Sequence, residues 1–192
     1  MEIEWIYNWI KERNIDDYKT IIVANKFIFP NIVDETIDLK DIAYISISAT
    51  DDCVKGYFMG DEEEAGHYLP DSDNVLNLNF DDITEDFVQS LPNGEIVTYK
   101  TITEEQANAI IDFVEKNLDK HLIIHCRAGK SRSIGVASAI ANLYGEVYRH
   151  FPIGQNFKNN QFDTPNIEVV TKIKRAFYKK HPELFFESST NE

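Results

Sequence analysis

The stretch from His121 to Tyr144 restricts the fold more than any other part of the chain. His121-Leu122-Ile123-Ile124-His125 is an apolar run too short for a stable helix and followed at once by a glycine-containing turn, so it reads as a buried strand. Cys126 starts the turn. Beyond it, Ser133 to Tyr144 is rich in Ile, Val and Ala and is followed by Gly145, which predicts a buried helix with a glycine C-cap. The order is strand, anion-sized loop, helix.

The loop itself reads Cys126-Arg127-Ala128-Gly129-Lys130-Ser131-Arg132-Ser133. A turn of this kind at a helix N-terminus can point successive amides inward, and unpaired amides together with the positive end of the helix dipole favour a tetrahedral anion. Gly129 supplies the backbone freedom that a tight cradle needs. The same field favours an ionised sulfur at Cys126. Arg132 lies six positions after the cysteine, where a curled loop brings its guanidinium back across the anion for two parallel hydrogen bonds that lysine could not reproduce. Ser133 can donate a hydrogen bond to the sulfur, and His125 can orient the loop by bonding to backbone groups around it. Residues 127 to 132 (Arg127, Ala128, Gly129, Lys130, Ser131 and Arg132) are thus the candidate phosphate-binding set.

The loop admits two other readings. Gly129-Lys130-Ser131 matches the last three residues of a nucleotide-binding Walker loop, but the first glycine would fall at position 124, which is Ile124. A purely structural cysteine in a strand-to-helix turn is the other. By average residue usage, His-Cys, Gly, Arg and Ser would coincide at these offsets in roughly one chain in ten thousand or fewer, which favours a chemical role.

Composition narrows the partners. Thirty-three acidic residues against nineteen basic ones give a net charge of −14, which disfavours general attraction to nucleic acid or to anionic membrane surfaces. A phosphorylated ligand must therefore be captured locally, by groups lining a pocket. Cys53 and Cys126, 73 positions apart, supply neither a disulfide framework nor a multi-cysteine zinc site. No metal or cofactor is expected. The start Met1-Glu2-Ile3-Glu4-Trp5 lacks the features of a signal peptide and no window approaches a membrane span, so the expected location is the cytoplasm, that of the host if the gene is carried by a phage or virus.

The 192 residues are expected to form one domain, with a core over about 20–181 and a flexible tail over 187–192. Ile3, Ile6, Trp9 and Ile10 predict a short amphipathic helix within Ile3 to Ile15. Thr20 to Phe29, ending at Pro30, and Ile42 to Ile47 read as strands. The acidic stretch from Asp51 to Asn74 matches no calcium loop and reads as a solvated loop, with His67 on its surface. In Val75 to Phe80, Leu76, Leu78 and Phe80 share one face of a strand. After a connecting segment through Gly94, Thr103 and Gln106 form a capping-box pair, and Ala107, Ile110, Ile111, Val114 and Leu118 supply the buried stripe of a helix. The last helix is read with Thr164 as N-cap and Pro165 at its first position, ending at His181-Pro182, with Lys172, Lys174, Arg175, Lys179 and Lys180 on a solvated face.

The run His125-Cys126-Arg127-Ala128-Gly129-Lys130-Ser131-Arg132-Ser133 resembles the His-Cys-x5-Arg-Ser signature of the protein tyrosine phosphatase superfamily. Its Ala-Gly-x-Ser-Arg-Ser core is most similar to the dual-specificity branch. Looser similarity takes in Ile45-Ser46-Ile47, Leu78-Asn79-Phe80-Asp81-Asp82 and Pro165-Asn166. The resemblance implies an α/β fold with a central, mostly parallel sheet flanked by helices on both faces. It also implies cysteine-dependent hydrolysis of phosphomonoesters through a phosphocysteine, and a general-acid aspartate just after a strand edge. Asp82 fits that place, because it shares strand parity with Leu78 and Phe80 whereas Asp81 points the other way. The 44 positions from Asp82 to Cys126 exceed the family's usual spacing, which keeps Asp81, Asp86 and the intervening insertion in contention.

On this reading Cys126 is the nucleophile, Arg132 the phosphate clamp, Ser133 and His125 supporting groups, and Asp82 the acid with Asp81 as its substitute. The expected partner is a phosphorylated protein, carrying phosphotyrosine and then phosphoserine or phosphothreonine, or a small phosphorylated substrate. Arg127 and Lys130 also resemble the basic loops of phosphoinositide and phosphatidylglycerophosphate phosphatases, so an inositol phosphate or phospholipid is the alternative. A phosphate-reading module without turnover is the other class. Nothing in the sequence fixes the oligomeric state.

Overall fold

The computed structural model describes residues 19–37, 40–50, 67–152 and 164–187. The helix expected within Ile3 to Ile15, Cys53, the acidic run Asp61 to Glu64 and the tail Ser188-Ser189-Thr190 lie outside the described residues.

Among the described residues seven strands and five helices follow in chain order: β1 (Lys19–Asn25), α1 (Phe29–Thr36), β2 (Ile42–Ser48), β3 (Val75–Asn79), β4 (Phe87–Ser90), β5 (Ile96–Tyr99), α2 (Glu104–Lys116), β6 (His121–Cys126), α3 (Arg132–Leu143), β7 (Tyr148–Pro152), α4 (Ile167–Lys180) and α5 (Pro182–Glu187). Five strands form one sheet in the order β3-β2-β6-β1-β7, and every pairing in it is parallel. The expected α/β arrangement with a parallel sheet between helices is therefore present among the described residues.

Parallel strands buried on both faces read as continuous apolar runs, and β6 and β2 are buried along their whole length. Residue parity divides the core. Ile21, Val23, Ala43, Ile45, Leu122, Ile124 and Cys126 face the layer that holds α2, α3 and α4. Ile22, Ala24, Ile42, Tyr44 and Ile123 face α1, which contributes Phe29, Ile32 and Val33. Each of these fully buried large side chains contributes about 1.5–3 kcal/mol of transfer free energy. β6 is the middle strand, so the loop after Cys126 opens at the carboxyl end of the sheet, where open α/β sheets take their ligands.

Four local expectations are corrected. Residues from Phe29 onward form α1 and not the end of a strand: Asn25 Oδ1 accepts from the amides of Phe27 and Ile28, which turns the chain, and Pro30 then sits in the first helical turn. The segment leading to Gly94 is an antiparallel hairpin of β4 and β5, with Gly94 at φ +82° in its turn. The last helix is capped by Asn166 and not by Thr164, since Asn166 Oδ1 accepts from the amides of Glu168 and Val169. Gly145 does not adopt a left-handed cap either: α3 ends at Tyr144 with φ −121°. The capping box at α2 is formed as expected, with Gln106 N donating to Thr103 Oγ1 and Thr103 N donating to Gln106 Oε1. The basic face of α4 is used: Lys172 donates to Ile102 O, Arg175 pairs with Glu104, and Lys180 pairs with Asp112 and Glu115.

Candidate active site

β6 delivers Cys126 to the carboxyl edge of the sheet, and α3 begins six residues later at Arg132. The intervening turn is held against β1. Lys26 N donates to Arg127 O at 3.2 Å, and Gly129 packs on the carbonyl of Ala24 so closely that a Cβ there would lie 2.8 Å from Ala24 O. Gly129 also has φ +67°, a conformation that L residues other than glycine adopt at a cost. Both facts require glycine at this position.

Cys126 is 2% exposed, and its Sγ lies 3.1 Å from Ser133 Oγ. Arg132 is 6% exposed. Its Nη1 donates to Phe80 O at 2.8 Å, which fixes the guanidinium, while its buried Nε has no hydrogen-bond partner among the described residues. A guanidinium N–H buried without an acceptor is costly in a folded protein, and such an orphan calls for an explanation. Ser131 occupies the N-cap of α3 without capping it by its side chain. Its hydroxyl instead donates to Asp82 Oδ1 at 2.6 Å. Ala128 and Lys130 are exposed on the loop and Arg127 is half-buried.

The three aspartates considered as acids have distinct surroundings. Asp81 is 2% exposed, and its carboxylate accepts from Thr50 N, Thr50 Oγ1 and Lys100 N at 3.0, 2.7 and 2.8 Å. Asp86 accepts from the amide and hydroxyl of Thr101, and the amide above all holds its carboxyl below the usual range. Asp82 is exposed, and among the described residues only its Oδ1 is engaged, by Ser131 Oγ and by Asn166 Nδ2 at 3.0 Å. Asp82 is thus brought to the cysteine loop, while Asp81 and Asp86 are tied into the polypeptide around them.

His125 is 6% exposed and lies on the α1 side of the sheet, with its ring stacked on Phe29 at a centroid distance of 3.9 Å. Its Nε2 meets Ser46 Oγ at 2.7 Å, a side-chain partner in addition to the backbone of Cys126, with which the ring also interacts. Burial foremost pushes its pKa down to about 3, so the ring is neutral.

Three residues join the site that sequence reasoning left out of it. Asn166 ties three elements together: its amide donates to Ser131 O, and its Nδ2 donates to Asp82 Oδ1 and to Ile83 O. Ser46 and His67 lie behind His125, with Ser46 Oγ 2.8 Å from His67 Nδ1. His67 is half-buried and bonded, not a solvated surface residue. A usable signal for Ser46 was its polar character within the otherwise apolar strand Ile42 to Ile47. Among the described residues, no three or more His, Cys, Asp or Glu side chains are grouped as a metal ion would need. Likewise no helix among them is long and apolar enough to cross a membrane.

Compared with family models, curated proteins and solved structures, the chain matches none of them.

Proposed function

We propose that the chain is a cysteine-dependent phosphatase that hydrolyses phosphomonoesters through a phosphocysteine, with protein phosphotyrosine, and then phosphoserine and phosphothreonine, as its substrate class. The observation that carries this reading is the state of Arg132: one nitrogen is anchored on Phe80 O, and the buried Nε, without a partner among the described residues, lies on the residue beside Ser133, whose hydroxyl meets the sulfur. A phosphate seated in the loop satisfies that donor, and the guanidinium fork suits two of its oxygens.

The steps follow from these groups. The sulfur of Cys126 attacks phosphorus, the bond from phosphorus to the ester oxygen breaks, and Asp82 gives that oxygen its proton. Water then attacks the phosphocysteine and yields a proton to Asp82, and the thiolate leaves with Ser133 Oγ donating to it. Loop amides and Arg132 hold the non-reacting oxygens through both steps and provide most of the transition-state stabilisation. Ser131, bonded to Asp82 at one end of the loop, keeps the acid beside the leaving group.

A phosphoinositide, inositol phosphate or phospholipid substrate is the second reading, favoured by Lys130, which is exposed on the loop. The experiment is turnover of p-nitrophenyl phosphate, phosphotyrosine peptides and inositol polyphosphates by the chain, by Cys126→Ser and by Lys130→Ala. The proposal expects turnover that Cys126→Ser abolishes, with peptides preferred and Lys130→Ala nearly silent on them. Activity surviving in Cys126→Ser overturns it, and a selective loss of inositol phosphate turnover in Lys130→Ala moves the substrate to the second reading.

A further inference from the structure

Between Asp82 and α2 the chain forms the antiparallel hairpin of β4 and β5, whose two strands have different surroundings. On β5, Val97 and Tyr99 are buried and pack against Ala49, Ile83 and Leu91. The residue that follows β5 is covered as well: Lys100 N donates to Asp81 Oδ2, and Asp81 N donates to Lys100 O. β4 is exposed at all four residues. It belongs to a sheet of two strands, so its edge away from β5 is open among the described residues.

Register decides which groups stand on that edge. Leu91 N donates to Glu95 O, which makes Leu91 and Glu95 a hydrogen-bonded pair, and such pairs alternate along an antiparallel ladder. Gln89 with Val97 and Phe87 with Tyr99 are therefore bonded pairs, whereas Val88 and Ser90, opposite Thr98 and Ile96, turn their N–H and C=O groups outward. Those groups have no partner among the described residues. Val88 and Ile96 also share the outer face, at 64% and 66% exposure. Proteins blunt edge strands with lysine, proline or a bulge, because an open edge beside apolar side chains invites another strand. Phe87-Val88-Gln89-Ser90 holds neither lysine nor proline, and its register with β5 is unbroken. Its shortness limits an added strand to a few hydrogen bonds.

Charge and place select the occupant. From Asp82 to Lys100 the chain carries Asp82, Glu85, Asp86 and Glu95 against Lys100 alone, so the hairpin favours a basic strand. A second copy of this chain brings a net charge of −14 to the same edge and is repelled. The base of the hairpin is tied to the candidate acid, since Asn166 Nδ2 donates both to Asp82 Oδ1 and to Ile83 O. Eight positions separate Asp82 from Ser90, at most about 29 Å of chain, so a polypeptide extended along β4 places its paired residues within about nine of one seated beside Asp82. We propose that β4 is a docking strand for the substrate polypeptide, which adds to the open edge as an extended segment rich in lysine or arginine while the phosphorylated residue enters the cysteine loop. That substrate is the one of the phosphatase reading above, on which the docking strand rests.

The test measures kcat and KM of the full chain on p-nitrophenyl phosphate and on phosphotyrosine peptides with a basic flank, with an acidic flank, and with the basic flank N-methylated on its amides. Val88→Pro and Val88→Thr are measured beside it. Proline removes an amide hydrogen that points away from β5, which an edge strand tolerates, while threonine keeps that hydrogen and the branched shape. Two or three backbone hydrogen bonds of ordinary net strength amount to about tenfold in affinity. The basic peptide is expected to exceed the acidic one about tenfold or more in kcat/KM. Val88→Pro and N-methylation are each expected to raise KM for the basic peptide about tenfold, with p-nitrophenyl phosphate turnover unchanged in Val88→Pro, and Val88→Thr is expected to match the unaltered chain. If Val88→Pro unfolds the hairpin, the N-methylated peptide on the unaltered chain decides. Equal kcat/KM on the basic and acidic peptides overturns the proposal, as does a basic peptide indifferent to both Val88→Pro and N-methylation. A dimer in sedimentation that Val88→Pro dissociates assigns the edge to a second copy and overturns it too. Turnover of p-nitrophenyl phosphate without peptide preference removes the docking strand alone, whereas a chain that turns over neither p-nitrophenyl phosphate nor peptide overturns the phosphatase reading and the docking strand with it.

Discussion

Two adjacent aspartates just past β3 differ in everything but chemistry. Asp81 accepts three hydrogen bonds in the protein interior, two from Thr50 and one from the amide of Lys100, and so joins the segment after β2 to the segment after β5. Asp82 lies at the surface, bonded to the cysteine loop through Ser131, and its second oxygen has no partner among the described residues. Removing the buried carboxylate strands those donors, so Asp81→Ala is expected to cost on the order of 3 kcal/mol in urea unfolding. Asp82→Asn is expected to leave the unfolding midpoint nearly unchanged and to slow turnover by about 10²-fold or more, flattening the acidic side of the pH profile. A rate loss confined to Asp81 variants that remain folded would assign the acid to Asp81. Strand parity separated the two carboxylates in the sequence, because period two is a local property. The partners of Asp81 were not legible, since Thr50 and Lys100 approach only through the tertiary fold. The same holds for His67, whose neighbours in sequence are acidic and polar while its neighbours in space are Ser46 and Asn79.

At the scale of elements, the contact between α3 and α4 sets the site. Gly135 lies where α3 crosses the start of α4, and a Cβ there would stand 3.0 Å from Asn166 O and 3.1 Å from Val169 Cβ. Gly135→Ala must push α4 away, and overpacking of this kind costs about 1–3 kcal/mol. Asn166 moves with α4 and holds both Ser131 and Asp82, so turnover is expected to fall further than stability alone explains. A thermal melt alongside p-nitrophenyl phosphate kinetics checks this, and a variant with unchanged rate would separate the helix contact from the acid. Elements with local signals were legible: the capping box of α2 and the apolar strands β2, β3 and β6 are written in consecutive residues. α1 was missed because Pro30 ends a strand as readily as it opens a helix, and the deciding turn at Asn25 depends on a side-chain bond. The β4 and β5 hairpin was missed because β4 is exposed on both faces and so shows no alternation. Its apolar contacts lie in the small cluster of Val97 and Tyr99.

Across the whole molecule, the parallel sheet buries ionisable rings as well as hydrocarbon. Burial lowers the pKa of His121 and takes that of His125 from 6.5 to about 3. Between those two values the unfolded chain binds a proton that the folded chain refuses. The contribution of His125 is therefore full above about pH 6.5 and is lost as the pH falls toward 3. Unfolding free energy is expected to drop by about 1 to 2 kcal/mol on account of His125 between about pH 6.5 and 5, and urea melts at the two ends of that range check it. A stability that stays level over the range would show that the ring accepts a proton in place.

The loop from His125 to Ser133 was legible because strand, turn and helix follow one another without interruption, and its chemistry depends on residues only a few positions apart. The direct test of that chemistry is acid quenching of the chain during turnover of p-nitrophenyl phosphate, with mass spectrometry of the peptide containing Cys126. A phosphoryl group on that sulfur, absent in Cys126→Ser and accumulating in Asp82→Asn as hydrolysis of the intermediate slows, is the predicted result. Turnover without any phosphate on Cys126, or with phosphate on another residue, would contradict the account.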